Sequence, residues 1–194
     1  MAECQILDLR SVCFAGSVLD VGGGGEGIIS RIAGNSVVAI DIRRDELEET
    51  PDIGLKIVMD ACCTGFLDNT FDNITGFYTL MYMEHIERFF AEALRILKPG
   101  GYLWIWDTVI PELQSGNIFI VPVEVKLTDK TISTAYGVSG SGSRSMAQLV
   151  RAAQNAGFSV VENLNQGCRF ELRFQKNKRG GDEFGTKFGN QQHE

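Results

Sequence analysis

The stretch Val18-Leu19-Asp20-Val21-Gly22-Gly23-Gly24-Gly25-Glu26-Gly27 restricts the fold of this chain more than any other. The apolar run from Ser17 to Val21 predicts a short buried strand, and the glycines stop it abruptly. From Glu26 onward, Ile28, Ile29 and Ile32 fall on one side at helical spacing, so a helix is expected to begin there. A strand, a glycine turn and a helix start in that order let the backbone approach a ligand closely. They also aim unpaired N–H groups at whatever binds. The expectation is a nucleotide-like ligand at the first strand-to-helix turn.

Gly22, Gly24 and Gly27 satisfy G-x-G-x-x-G, the dinucleotide pattern, which alone is a weak signal. Asp20 is more informative. A carboxylate two residues before the first glycine repels a pyrophosphate and attracts a ligand carrying an ammonium and a sulfonium. The segment resembles motif I of the class I S-adenosylmethionine-dependent methyltransferases (methyltransferase type 11-like), an acidic residue followed by x-G-x-G-x-G. It departs at the third glycine, where Glu26 stands and Gly27 follows one residue late. The resemblance implies Asp20, Gly22, Gly23 and Gly24 as cofactor-binding residues, with S-adenosyl-L-methionine as cofactor and S-adenosylhomocysteine as its product.

Further along, Val37 to Ile40 reads as a second strand ending at Asp41, placed to accept hydrogen bonds from ribose hydroxyls with Ile42 beside it. A turn or N-cap aspartate is the competing reading. Leu55 to Met59 reads as a third strand, closing on Asp60-Ala61. The resemblance places Asp60 at the adenine amino group and Ala61 against the ring. The run Gly65 to Ile74, with Phe71-Asp72-Asn73-Ile74, is close to the family's segment before strand four. Strand four, Ile74 to Thr79, brings Phe77, a further cofactor-binding candidate, with Tyr78 and Thr79 to the carboxyl edge of the sheet. A helix over Glu84–Leu97 and the run Arg95-Ile96-Leu97-Lys98-Pro99-Gly100-Gly101-Tyr102 lead into strand five, Tyr102–Trp106. The resemblance covers residues 17–107. It implies a Rossmann-like, doubly wound α/β domain over residues 1–175, with a mostly parallel seven-stranded sheet and an antiparallel last strand.

Beyond Asp107 the chain reads locally. Residues 118–138 form two apolar runs around Thr128-Asp129-Lys130-Thr131, a β-hairpin insertion. Ser139 to Ser143 reads as a flexible link, Met146–Ala156 as a helix capped by Gly157, and Phe158–Glu162 with Cys168–Phe174 as a closing antiparallel pair. Residues 176–194 read as a flexible tail. Residues 1–16 hold little beyond Ile6-Leu7-Asp8-Leu9. A cover for the cofactor is therefore expected from elsewhere in the chain or from a second subunit in a homo-oligomer.

A net charge of −7 disfavours general nucleic-acid binding. No N/D-P-P-Y/F motif of amino-methylating nucleic-acid enzymes occurs where Gly76-Phe77-Tyr78-Thr79 stands. The acceptor is thus expected to be a small molecule or a site on a protein. No apolar run reaches membrane-span length and no signal-peptide pattern opens the chain, so a cytoplasmic protein without a membrane partner is the expectation. The five cysteines and two histidines show no metal-ligand spacing, and no metal is expected.

Methyl transfer needs alignment more than acid–base help. A base, if required, has Tyr78 and His85 as weak candidates, with Tyr82, Glu84 and Asp107 nearby in sequence. His85 reads equally as a solvent-facing residue at a helix start, and Tyr78 as a wall. Two other classes stay open: a non-catalytic adenosyl-cofactor-binding or scaffolding protein of this fold, and a nicotinamide-dependent oxidoreductase.

Overall fold

The computed structural model describes residues 3–111, 117–139 and 145–178. In chain order the elements are β1 (Gln5–Asp8), β2 (Val18–Val21), α1 (Ile28–Ala33), β3 (Val37–Asp41), α2 (Arg44–Glu49), β4 (Leu55–Val58), β5 (Phe71–Phe77), α3 (Ile86–Ile96), β6 (Leu97–Thr108), β7 (Ile118–Lys126), β8 (Thr131–Ser139), α4 (Met146–Ala156), β9 (Phe158–Gln166) and β10 (Arg169–Lys176). Seven strands form one sheet in the order β4-β3-β2-β5-β6-β10-β9. The first five run parallel, and β10 is antiparallel to both of its neighbours. This is the Rossmann-like, doubly wound arrangement with an antiparallel last strand.

The central strands have no wet face. All four residues of β2 are buried, as is every residue of β5 except Asp72, and such continuous apolar runs are what a parallel sheet covered on both faces requires. One face is covered by α3 and α4. Phe89, Phe90 and Ala93 of α3 and Leu149 and Ala153 of α4 pack with Leu19, Ile74, Leu103 and Phe174. Ser145 caps α4 through a reciprocal pair: its hydroxyl accepts from Gln148 N, and its own N–H donates to Gln148 Oε1 at 2.8 Å. At the other end Gly157 (φ +113°) takes the left-handed conformation that stops the helix.

The opposite face is covered by α1 and by a second sheet of three strands, β1-β7-β8, which the sequence reading did not foresee in full. The hairpin β7–β8 pairs Val123 with Thr134 and Val121 with Tyr136. β1 adds to it in parallel, Gln5 opposite Val123 and Asp8 opposite Lys126. The N-terminal segment is therefore structured, through a partner more than a hundred residues away.

Several boundaries are corrected. α1 begins at Ile28, not Glu26, because Gly27 sits at φ +58° and cannot continue a right-handed helix, and it is only six residues long. β4 ends at Val58, so Asp60 lies in the loop beyond it. β6 begins at Leu97, with Pro99-Gly100-Gly101 bulged where the register to β5 slips. β10 runs through Lys176, whose ammonium donates to the carbonyls of Leu94 and Leu97 at the end of α3, so the fold extends past residue 175. Within the link over Ser139–Ser143, Ser139 closes β8 and the rest lies outside the described residues. Of the tail only 176–178 are described.

Candidate active site

One cavity of about 670 Å³ opens at the carboxyl ends of β2, β3, β4 and β5. Asp20, Gly22, Gly23, Gly24, Asp41, Ile42, Asp60, Ala61, Phe77, Tyr78 and His85 all line it. The volume lies within the range of small-molecule and cofactor sites. Open parallel sheets place ligands at this edge because the strand order reverses there.

The glycine turn is held down by its neighbours. Gly22 N and Gly23 N both donate to Ile40 O, at 2.8 and 3.1 Å, and Gly25 N donates to Glu46 O at 2.9 Å. A side chain at Gly24 would run into Glu46 Cβ at 2.4 Å, and one at Gly23 into Asp20 Oδ2 at 2.8 Å. The backbone therefore passes close under the cavity, as a ligand-cradling turn must.

Asp20 is buried at 3 % exposure, accepting a hydrogen bond from Thr75 Oγ1 at 2.8 Å. Burial pushes its carboxyl up to about 7, the Asp41 charge adds to the rise, and the Thr75 hydrogen bond opposes it. Asp41, the last residue of β3, accepts from Arg43 N at 2.9 Å through Oδ1. That is the turn-aspartate contact, made while the residue also lines the cavity. Asp60 accepts from Cys62 N at 2.8 Å, which fixes the loop below Ala61. Ile42 is 71 % exposed at the rim, placed to cover one face of a flat ligand.

Seven carboxylates line the cavity against the cationic side chain of Arg43 and the imidazole of His85. Arg43 is itself tied to Asp45 and, at 3.0 Å, to Glu46. Such a lining attracts a cation and repels a pyrophosphate. Among the described residues no group of His, Cys, Asp and Glu is arranged to hold a metal ion.

The wall across from the glycine turn is aromatic. Phe77 ends β5, and Tyr78 follows at φ +49° with its N–H on Trp106 O at 2.7 Å. The Tyr136 ring of β8 stacks on Tyr78, centroids 4.8 Å apart and planes 7° from parallel. The Tyr78 hydroxyl donates away from the cavity, to Gln5 Oε1 at 2.5 Å. Burial raises its pKa well above the ordinary phenol value, and that of Tyr136 likewise; Tyr82 is pushed up to about 12 by the same cause. His85 caps the start of α3 and is exposed at the rim, its carbonyl accepting from Phe89 N at 3.1 Å. Asp107 is away from the cavity, accepting from Thr108 N and Met81 N behind the wall. None of the tyrosines is set to take a proton at neutral pH.

Sequence reasoning missed how the site is roofed. Thr134, Ala135, Tyr136 and Gly137 of β8 line the cavity, so the chain's own hairpin contributes to the cover. The Thr134 hydroxyl donates to the carboxylate of Glu26, which fastens the hairpin to the glycine turn. Glu26 is the residue standing where the motif has its third glycine. The departure that looked local is the anchor of the roof. Strict alternation along Thr131–Ser139 shows that Thr134 and Tyr136 share a face, but not that this face meets the cavity.

A parallel sheet in this order, with a glycine turn after the first of its strands and an acidic residue closing the second, defines the class I S-adenosylmethionine-dependent methyltransferase fold. Residues 19–105, a little under half of the chain, match the family described as "Methyltransferase domain". It is 25% identical to 24-methylenesterol C-methyltransferase 2 of Arabidopsis thaliana, over 82% of this chain and 46% of the relative. It is 29% identical to sterol methyltransferase-like 1 of Botryococcus braunii, over 85% of this chain and 44% of the relative. The chain thus spans a little under half the length of these relatives. Among solved structures, an S-adenosylmethionine-dependent methyltransferase from Mesorhizobium loti superposes with a TM-score of 0.61 at 14% identity, covering 83% of this chain and 91% of the other. That likeness speaks for the fold.

Proposed function

We propose that this protein is an S-adenosylmethionine-dependent methyltransferase acting on a small, uncharged acceptor. The single observation that carries the reading is the charge of the cavity: a buried and a partly buried aspartate under a glycine turn, with carboxylates all round, suit a ligand bearing both ammonium and sulfonium. In this reading Asp41 holds the ribose hydroxyls, Asp60 and Ala61 meet the adenine, and Ile42 covers it. Gly22, Gly23 and Gly24 lie under the ligand's amino-acid end, near Asp20.

The bound cofactor supplies a methyl group on positive sulfur. The chain's own residues align and enclose. With the phenols of Tyr78, Tyr82 and Tyr136 held protonated, the acceptor that fits is a neutral nucleophile that attacks without first losing a proton. Phe77 and Tyr136, which line the cavity, would offer π-faces to an acceptor that becomes cationic on methylation. The sterol methyltransferases among the relatives agree with a small-molecule acceptor. No helix among the described residues is long and apolar enough to cross a membrane. A cytoplasmic location is part of the same proposal.

The test is calorimetric titration with S-adenosylmethionine, S-adenosylhomocysteine and NAD. The two adenosyl-sulfur compounds are expected to bind and NAD is not. Asp41→Ala should weaken the binding roughly 10- to 100-fold, the loss of charge-assisted hydrogen bonds. Because Asp41 is partly exposed and its side chain's hydrogen bond, from Arg43 N, is local, the melting temperature should stay the same. Binding of NAD alone would overturn the reading.

Thr134→Val removes the fastening of the hairpin. Release of S-adenosylhomocysteine, followed by stopped-flow, should speed up roughly threefold to tenfold. An unchanged release rate would mean that the hairpin does not gate the cavity. The absence of a poised base among the tyrosines favours one second reading, a non-catalytic adenosyl-binding protein of this fold. It predicts the same binding, with no methyl transferred to any acceptor in a screen with labelled cofactor.

A further inference from the structure

The acidic lining of the cavity suits only the positive groups of the proposed cofactor. S-adenosylmethionine also carries a carboxylate beside its ammonium, and a carboxylate needs hydrogen-bond donors. Arg43, the guanidinium at the cavity, is tied to Asp45 and Glu46. In the glycine turn, Gly22, Gly23 and Gly25 spend their N–H groups on Ile40 O and Glu46 O. The roof is where open donors gather.

β8 is an edge strand, paired with β7 on one side. Leu127 N donates to Lys130 O at 2.8 Å, and the register then runs without a slip to Ser139. In an antiparallel pair, alternate residues turn both backbone groups toward the partner. Lys130 does so, hence Thr134 and Tyr136 do, and Ala135 and Gly137 present theirs on the open edge. This explains why four consecutive residues, Thr134 to Gly137, line the cavity: it is met by a strand edge and not by one face. On that edge the Gly137 N–H donates to the Tyr82 hydroxyl, whose own hydrogen stays available. The outward Ala135 N–H and the Tyr136 hydroxyl have no hydrogen-bond partner among the described residues. Burial keeps the Tyr136 phenol protonated, and the charges of Glu26 and Asp20 reinforce it; burial does the same for Tyr82, again with Glu26 contributing. Both phenols therefore stand near the carboxylates that suit an ammonium.

Resting on the cofactor reading above, we propose that the open edge of β8 holds the carboxylate of the cofactor's amino-acid end, with the hydroxyls of Tyr82 and Tyr136 and the Ala135 N–H as its donors. An ammonium and a carboxylate on one carbon have to be met side by side, and the cavity has acceptors and donors so placed. Outward N–H groups on one strand edge stand about 7 Å apart, so the Ala135 N–H and the Tyr82 hydroxyl at Gly137 can each take one oxygen of a single carboxylate. A phenol serves here only while protonated, which is the form that burial maintains. The floor then answers the positive charges of the ligand and the roof its negative one.

The experiment titrates the parent, Tyr82→Phe and Tyr136→Phe with S-adenosylhomocysteine and with its decarboxylated analogue, which keeps the adenosine, the sulfur and the ammonium. Circular dichroism checks that each variant is folded. Each should bind S-adenosylhomocysteine roughly 10-fold more weakly, the loss of one hydrogen bond to a charged group, and the analogue within about twofold of the parent. Ala135→Pro removes the outward N–H without breaking a bond to β7, a change an edge strand tolerates, and should show the same selectivity. Equal losses for both ligands in the tyrosine variants would make the two side chains plain walls and overturn the proposal. Unchanged affinity for S-adenosylhomocysteine in both would overturn it as well. A parent protein that binds neither compound would sink the methyltransferase reading, and this inference with it.

Discussion

Asp20→Asn should make the ligand-free protein more stable above pH 7 and remove most of the pH dependence of cofactor binding. The buried carboxyl has its pKa raised to about 7 from an ordinary 3.8, first by burial and then by the charge of Asp41. A carboxyl raised in the folded state binds its proton there while the unfolded chain has already lost it. Stability is therefore fully retained below about pH 4 and falls as pH rises through 7. The shift corresponds to at most about 4 kcal/mol. Asparagine keeps the shape and can still accept from Thr75 Oγ1, so the variant loses the penalty without losing the contact. Binding runs the other way. A cationic ligand favours the ionised carboxylate, so binding in the parent protein releases a proton and tightens as pH rises through 7. Thermal melts and calorimetry in buffers of different ionisation enthalpy check both halves. A parent protein whose affinity is flat from pH 5.5 to about 8.5 would rule this out.

Gly22→Ala should cost both stability and binding. Gly22 holds φ +66°, a region where an alanine is strained by about 1–2 kcal/mol. The added methyl would also sit 2.4 Å from Thr79 Oγ1. Thr79 cannot retreat freely, because its hydroxyl donates to Val21 O at 3.0 Å. Overpacking of this kind adds about 1–3 kcal/mol. The combined loss, roughly 2–5 kcal/mol, should lower the melting temperature by roughly 5–15 °C in a domain of this size. Where the chain stays folded, the turn must shift, and affinity for S-adenosylhomocysteine should drop by more than about 100-fold. A matched control is Gly65→Ala, whose added Cβ meets nothing within 4 Å.

The parts of the fold that were legible in the sequence are those whose cause is local. Val18 to Val21 is a buried strand because all its residues are apolar or satisfied in place. Met146–Ala156 carries its start in Ser145 and its stop in Gly157. The acidic residues at or near the ends of three strands, Asp20, Asp41 and Asp60, were readable because a parallel sheet repeats the same edge, and the structure gathers all three round one cavity, with Asp60 in the loop past β4. What was not legible depends on partners far along the chain. Gln5-Ile6-Leu7-Asp8 has no strand signal beyond a four-residue alternation, and it is a strand because Val123 to Lys126 is there to pair with it. Tyr78 read as either a base candidate or a wall residue, and the contact of its hydroxyl with Gln5 shows that it is part of the wall. Glu26 looked like a misplaced glycine until Thr134 arrived from the hairpin. In each case the residue type was visible and the contact was not, since no local pattern encodes a meeting of two distant segments.

The parallel pairing of β1 with β7 sets an order of assembly. β1 cannot close its ladder until Val123–Lys126 exists, more than a hundred residues later in the chain. On a ribosome, β1 is made well before β7 and must wait for it. Contacts that distant are slow to close, because the entropy of bringing the ends together is lost before any bond repays it. The roof of the cavity is built on β8, which pairs with β7, so it too comes after the glycine turn has been made. A nascent chain would hold an open glycine turn well before it could shut a ligand in.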